Sequence, residues 1–213
     1  YNIITVENND KEFILKTKLF GLYNFQNILA SFALCKTKGI SIKKIISGIQ
    51  KFEGAPGRLE KIKNNKFNIF IDYAHTPDAL EKSIQSLKEN YKNHQLTVLF
   101  GCGGNRDIGK RLQMGKIASE NAEKVIITSD NPRYENPNLI IKDIVKGVNS
   151  KNKNKIQIVP NRSKAIKSAL KKITKNIVLL IAGKGHEDYQ EINGIKNKFS
   201  DKREVKKWLK NLI

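Results

Sequence analysis

Four short stretches hold most of the side chains in this chain that could do chemistry: DYAHTP (72–77), GCGGNRDIGKR (101–111), SDNPRYENP (129–137) and AGKGHEDY (182–189). Among what they supply are the guanidinium groups of Arg106 and Arg133, which could hold carboxylates, and the acids Asp130 and Glu187, which could accept hydrogen bonds from an ammonium group. A guanidinium grips a carboxylate through two parallel charge-assisted hydrogen bonds, and a desolvated fork without its partner is costly. The combination therefore fits a zwitterion with more than one carboxylate. The third stretch is stiff for a loop. Pro132 fixes its own φ and pushes Asn131 into extended geometry, so Arg133 leaves the preceding strand at a defined angle.

Each stretch alone admits a plainer reading. Gly101, Gly103 and Gly104 could cradle a phosphate or only make a tight turn, because the loop lacks the full GxGxxG pattern and no acid follows at ribose spacing. Asp72 could meet a metal, a ribose or an ammonium group, or simply accept backbone N–H groups. His75 could be no more than a hydrogen-bond partner at a strand end, and Lys184 could be solvated.

The elements that position these stretches are legible from apolar runs and helical spacing. Strands are expected at 67–73, 96–100, 124–128, 155–159 and 177–182. Helices are expected from Thr76-Pro77, a good cap followed by a good first residue, and at 112–122, 138–148 and 163–173. A hairpin at Asn193-Gly194 and a helix capped near Ser200 or Asp201 follow. Alternating strands and helices predict an α/β fold with a mostly parallel sheet and helices on both faces, in which ligands sit outside the carboxyl ends of the strands. Two of the four stretches directly follow an expected strand, and the other two begin on the last one or two residues of one. The loop Pro160-Asn161-Arg162 reads as a bland cap.

The breaker cluster Glu53-Gly54-Ala55-Pro56-Gly57-Arg58 marks a boundary, dividing the chain into residues 1–56 and 57–213. Ahead of it, strand-like runs at 3–7 and 12–18 flank Asn8-Asn9-Asp10 as a hairpin, and two helices follow, one to about Lys38 and one capped by Ser41. This first part reads as the tail of a preceding domain. A start at Tyr1, with no positive and apolar leader pattern after it, is expected to be internal to a longer protein.

The longest apolar run, at 177–182, is far short of the roughly 20 residues that cross a bilayer, so no membrane partner is expected. Two distant cysteines, Cys35 and Cys102, fit a reducing cytoplasm and argue against zinc or a disulfide framework. The net charge of +20 is nearly all lysine, since only six of the 40 basic residues are arginines. With no RNA-binding motif or interleaved aromatic platform beside them, these lysines read as a solvated, compositionally biased surface rather than a nucleic-acid footprint. Salt-dependent retention on DNA would favour that rival.

In order and spacing, GLYNFQN, GAPGRLE, YAHTPDAL, FGCGGNRD, GKR, DNPRYENP and AGKGHEDYQ resemble the C-terminal portion of the Mur ligases, specifically those that add meso-diaminopimelate to UDP-N-acetylmuramoyl-L-alanyl-D-glutamate. The resemblance runs from about residue 21 to the end. It implies a Rossmann-like domain over 57–213, preceded by the end of a central ATP-binding domain over 1–56. It also implies an ATP- and Mg2+-dependent cytoplasmic ligase, acting as a monomer on small-molecule substrates.

By this resemblance Asp130, Asn131, Pro132 and Arg133 form the diaminopimelate signature, with Arg133 on the distal carboxylate, and Arg106, Gly183 and Glu187 are further amino-acid contacts. Asn24, Arg58 and Asp72 match positions near ATP, with His75 beside them. No metal ligand is expected in this chain, and no GxxxxGK[ST] is present, so these residues alone are not expected to catalyse. Two departures from the family pattern stand out. Asn105 replaces a frequent Asp, and Asn136 replaces the Asp of a usual Glu-Asp-Pro ending. A Mur-type ligase for another amino acid and a non-catalytic remnant are the nearest alternatives.

Overall fold

The computed structural model describes residues 2–8, 11–64 and 66–210. The chain divides into two compact units, Tyr1–Ala55 and Pro56–Ile213.

In the first unit, β1 (Asn2–Asn8) pairs antiparallel with β2 (Lys11–Thr17), followed by α1 (Leu22–Thr37) and α2 (Ile42–Lys51). The turn residues Asn9 and Asp10 of the expected hairpin lie outside the described residues. Val6, Leu15, Ile28, Phe32 and Ile45 close a small core. Ser41 occupies the N-cap of α2, but its side chain makes no capping hydrogen bond.

The second unit holds a six-stranded sheet. Its strands are β3 (Glu60–Lys61), β4 (Asn68–Asp72), β5 (Gln95–Phe100), β6 (Lys124–Ile127), β7 (Ile156–Ile158) and β8 (Ile177–Ala182), in the order β3-β4-β8-β5-β6-β7. All neighbours are parallel except β3, a two-residue antiparallel edge too short to leave an alternating pattern in the sequence. Strand β8, the last of these six in the chain, inserts between β4 and β5, and that reversal of order opens a crevice at the carboxyl edge.

Helices α3 (Pro77–Asn90), α4 (Gly109–Asn121) and α5 (Pro137–Lys146) pack side by side. Helix α6 (Arg162–Lys171) packs on α7 (Asp201–Leu209). Ala165, Ile166, Ala169, Leu170 and Val205 of this second pair bury against Ile69, Ile71, Leu99, Ile126, Leu179 and Ile181 of the sheet. Alternation along the strands leaves Phe70, Val98, Phe100, Ile127 and Leu180, all buried, for the face of the first three helices. A hairpin of β9 (Tyr189–Ile192) and β10 (Ile195–Lys198) turns at Asn193 and Gly194, both at positive φ as a two-residue turn requires.

Several boundaries differ from those expected, each for a local reason. Thr76 caps α3 through Ala79 N at 3.3 Å, as its sequence suggests. Helix α4 starts three residues early because Asp107 Oδ1 accepts from Gly109 N at 2.8 Å, and α5 starts at Pro137 because Asn136 accepts from Asn138 N. A 3-10 turn over Ser150–Lys155 shortens β7. No described helix is long and apolar enough to cross a membrane.

The supposedly bland residue Arg162 is fully buried. Its Nε and Nη2 grip Asp201 at 2.8 and 2.7 Å, and Nη2 also donates to Ala182 O at 3.0 Å, tying the start of α6 to the start of α7 and the end of β8. Breaking one side of a fully buried pair costs about 3–5 kcal/mol, because the other charge is left stranded. Arg162→Ala is therefore expected to lower unfolding free energy by about that amount in urea titration. A loss below about 1 kcal/mol, the range of an exposed pair, would contradict the reading.

Candidate functional site

The order of the strands brings all four chemically loaded loops to adjacent positions at one edge, after β4, β8, β5 and β6. The loop after β6 is the best anchored. Asp130 and Asn131 are buried, and Lys184, from the loop after β8, is buried with them rather than solvated. Lys184 Nζ donates to Asp130 Oδ1 at 3.2 Å, Asn131 Oδ1 at 2.8 Å and Glu187 Oε2 at 3.0 Å. Asn131 Nδ2 donates to the same Glu187 oxygen at 3.0 Å, and Asn131 Oδ1 also accepts from Glu191 N at 3.0 Å.

The two acids expected to hold a substrate ammonium thus already hold one from the chain. They carry two negative charges against the single positive charge of Lys184. Among the described residues no hydrogen bond reaches Asp130 Oδ2 or Glu187 Oε1. Gly183, at φ 111°, stands over that free oxygen, and a Cβ there would lie 3.2 Å from Asp130 Oδ2. One acceptor seat of net charge −1 remains.

Arg133, three residues on in the same loop as Asp130, is half-buried at φ 52°, where a side chain other than glycine is strained. Proline alone does not hold it there. Arg133 N donates to Glu191 O at 3.1 Å and Asn193 N donates to Arg133 O at 2.7 Å, so the β9–β10 hairpin clamps the residue on both sides. The guanidinium donates from Nη1 to Gly104 O at 2.8 Å, and its Nε is 3.3 Å from Glu191 Oε2.

Arg106 is exposed, with no hydrogen bond or ion pair among the described residues. Both arginines border Gly103. A Cβ on that glycine would come within 2.9 Å of Arg133 Nη1 and 4.0 Å of Arg106 Cγ.

The glycines of the loop after β5 serve close packing. A Cβ on Gly101 would run into Thr128 O, and one on Gly104 into Pro132 O. Gly104 N donates to Asn131 O at 2.9 Å and Asn105 N to Glu135, so these N–H groups are not offered to a phosphate. Asn105, one of the two unusual residues, adopts φ 51° and accepts from Tyr134 N at 3.1 Å. Arg111 is buried here as well, with Nη2 forked on Glu135 at 2.9 and 2.8 Å and Nη1 on Asp143 at 3.1 Å. The Asn105 N–H, and after it Arg111, hold the Glu135 carboxyl below its ordinary range. Burial pushes the Cys102 thiol up to about 12, which removes it as a nucleophile.

Within the second unit, Arg58 and His75 of the residues expected near a nucleotide share a rim and Asp72 does not. Arg58 is exposed and lies 4.8 Å over the Tyr73 ring, which also meets His75 at 4.6 Å and His186 at 5.3 Å. His75 Nδ1 is 2.8 Å from Tyr73 O. Asp72 does not reach this rim. It is buried, with Oδ1 accepting from Leu59 N at 3.2 Å and Tyr73 N at 2.8 Å and Oδ2 taken by the Ser83 hydroxyl, so its plainer reading as a backbone acceptor holds. Asn24 belongs to the first unit, where its Nδ2 donates to Phe20 O at 2.7 Å. Among the described residues no cluster of three or more His, Cys, Asp or Glu could hold a metal ion.

Sequence reasoning missed Lys184, Arg111, Arg162 and Glu191 as parts of this edge. Lys184 did carry a signal: it is flanked by Gly183 and Gly185, both at positive φ, which let the backbone turn it inward.

Residues 57–185 match the family model described as Mur ligase, glutamate ligase domain. The chain is 44% identical over 202 residues to a UDP-N-acetylmuramoyl-L-alanyl-D-glutamate--2,6-diaminopimelate ligase of Clostridium acetobutylicum, covering 93% of this chain and 41% of that protein. It is 44% identical over 188 residues to the enzyme of that name from Neisseria meningitidis, covering 87% and 37%. A solved structure of a ligase of this name superposes with a TM-score of 0.73 at 36% identity, over 99% of this chain and 43% of that one. A UDP-N-acetylmuramate-alanine ligase of Thermotoga maritima shares the fold at a TM-score of 0.67 and 20% identity. The chain therefore spans about two fifths of the length of the curated relatives it matches.

Burial raises the Asp72 carboxyl above its ordinary 3.8, against the lowering effect of its hydrogen bonds. A raised folded value means the folded state binds the proton more tightly, so this contribution to stability is full below 3.8 and fades as pH rises through the raised value. Stability curves of the wild type and Asp72→Asn are expected to diverge over that window, the wild type losing ground as pH rises. Parallel curves would contradict it.

Proposed function

This chain belongs to the Mur ligase family, and from that premise we propose that it is the C-terminal part of an ATP-dependent ligase joining meso-diaminopimelate to UDP-N-acetylmuramoyl-L-alanyl-D-glutamate in peptidoglycan biosynthesis. The observation that carries the reading is the pairing of a one-charge acceptor seat, Asp130 Oδ2 with Glu187 Oε1, with the guanidinium groups of Arg133 and Arg106. Each end of meso-diaminopimelate is an ammonium beside a carboxylate. An ammonium on the seat and a carboxylate on Arg133 would satisfy one end and leave the other amine directed outward to react. Lysine has no second carboxylate to place on Arg133.

ATP supplies the phosphoryl group that activates the acceptor carboxyl. The rim of Arg58, Tyr73, His75 and His186 suits it, because a guanidinium and aromatic faces match phosphate and base. On this reading Asp72 acts through the rim, fixing Tyr73 N and Leu59 N, and does not touch the nucleotide. Mg2+ and the phosphate-binding loop belong to the rest of the enzyme. Residues 1–56 would be the end of its central ATP-binding domain, where exposed Leu22, Leu34, Ile3 and Ile14 support packing against further chain. The protein would act in the cytoplasm as a monomer.

The contribution of this unit is orientation: a rigid site aims one amine, and closure of the unit would bring it to the activated carboxyl. In the full-length enzyme, Arg133→Ala should cost about 2–3 kcal/mol toward meso-diaminopimelate. That corresponds to roughly 30- to 150-fold in kcat/KM, with lysine little affected. Gly103→Ala, which displaces only the Arg133 tip, should lose about tenfold or more with stability nearly kept. An unchanged preference for meso-diaminopimelate over lysine in Arg133→Ala would refute the assignment.

A further inference from the structure

We infer that Lys184 is a positioning residue that sets the charge of the amine seat, neutralising one of two adjacent carboxylates so that Asp130 Oδ2 and Glu187 Oε1 accept a single substrate ammonium. This rests on the proposed function. Lys184 is not itself a ligand. It is fully buried, and its three N–H donors are matched by three acceptors at 3.2, 2.8 and 3.0 Å, which leaves none for a substrate.

An apolar side chain of the same length would fill the space without the cost of desolvating a charge, so the charge calls for an explanation. Its first effect is electrostatic. Two carboxylates that share one Nζ lie close together, and without the cation one of them would take up a proton as pH falls toward neutrality. A protonated carboxyl is a poor acceptor for an ammonium group.

Among the described residues the buried and half-buried arginines nearest this group are engaged elsewhere, and Arg106 is exposed to solvent. Arg162, which feels both Asp130 and Glu187, is forked on Asp201, and Arg133 is paired with Glu191. The Tyr189 ring lies 5.7 Å from Lys184 Nζ and brings no charge, while His186 is exposed on the adjoining turn.

The second effect is geometric. Asn131 Oδ1 accepts from both Lys184 and Glu191 N, so the lysine fixes the amide that ties the amine seat to the strand clamping Arg133. With Gln190 Nε2, which donates to Asp130 O at 2.6 Å, this amide joins the amine seat to that strand.

The test is calorimetric titration of meso-diaminopimelate into the wild type, Lys184→Met and the double variant Lys184→Met/Glu187→Gln, from about pH 6 to about pH 8.5. Wild-type affinity should be nearly flat with pH. Lys184→Met should bind on the order of tenfold more weakly at the acid end and recover as pH rises, because deprotonation restores the acceptors. The double variant keeps one carboxylate and no lysine, so the seat returns to −1 and its binding should be flat again. That variant also serves if Lys184→Met alone does not fold, and it should then bind more tightly than Glu187→Gln, whose seat is neutral. A Lys184→Met profile that is unchanged, or weakened equally at every pH, would overturn the inference, as would a double variant no better than Glu187→Gln. Absence of binding by the wild type would instead overturn the functional reading beneath it.

Discussion

Three cations buried at the carboxyl edge of the sheet govern this structure. Arg111, Arg162 and Lys184 are among its largest fully buried side chains, and a buried charge must be neutralised where it stands or it unfolds its surroundings. Each finds its partners on other elements, and all three converge on one loop. Lys184 takes Asp130 and Asn131, Arg111 takes Glu135, and Arg162, forked on Asp201, points Nη1 at Ser129 O. The segment 129–135 is therefore held from the α4 side, the α6 side and the β8 side at once.

That constraint explains how Arg133 can stay at a positive φ. Such a conformation costs of order 1–3 kcal/mol and persists only where the surroundings over-determine it. Here the loop is fixed on one side by buried charge, on the other by the β9–β10 hairpin, and from below by glycines that let the β5 loop touch Pro132. The strained residue carries the exposed work while the unstrained, buried ones carry the load. The same division runs through the β4 loop, where Asp72 is spent inside and Arg58 and His75 line the rim.

Much of this was written in the sequence. The period of the apolar residues gave the parallel sheet, and the position of each polar stretch after a strand gave the edge on which Asp130, Arg133 and Glu187 meet. What the sequence could not show was partnership across long separations. Lys184 and Asp130 are 54 residues apart, and Arg162 and Asp201 are 39 apart, so neither looks like more than a surface charge in a lysine-rich chain. The insertion of β8 between β4 and β5, which makes those pairs possible, is a property of topology that no local pattern records. For the same reason Asp72 looked available, although the Leu59 N–H that occupies it comes from 13 residues earlier in the chain. Glu191 was invisible because only the hairpin's fold brings it back to Arg133.

The central claim is that one end of a diamino diacid spans the seat and the fork that this loop holds apart. A crystal structure of the protein with meso-diaminopimelate tests it most directly. The account predicts a carboxylate on Arg133 and the neighbouring ammonium between Asp130 Oδ2 and Glu187 Oε1, with Lys184 unmoved. A ligand bound with both groups away from that pair, or one that displaces Lys184 from Asp130 and Glu187, would contradict it.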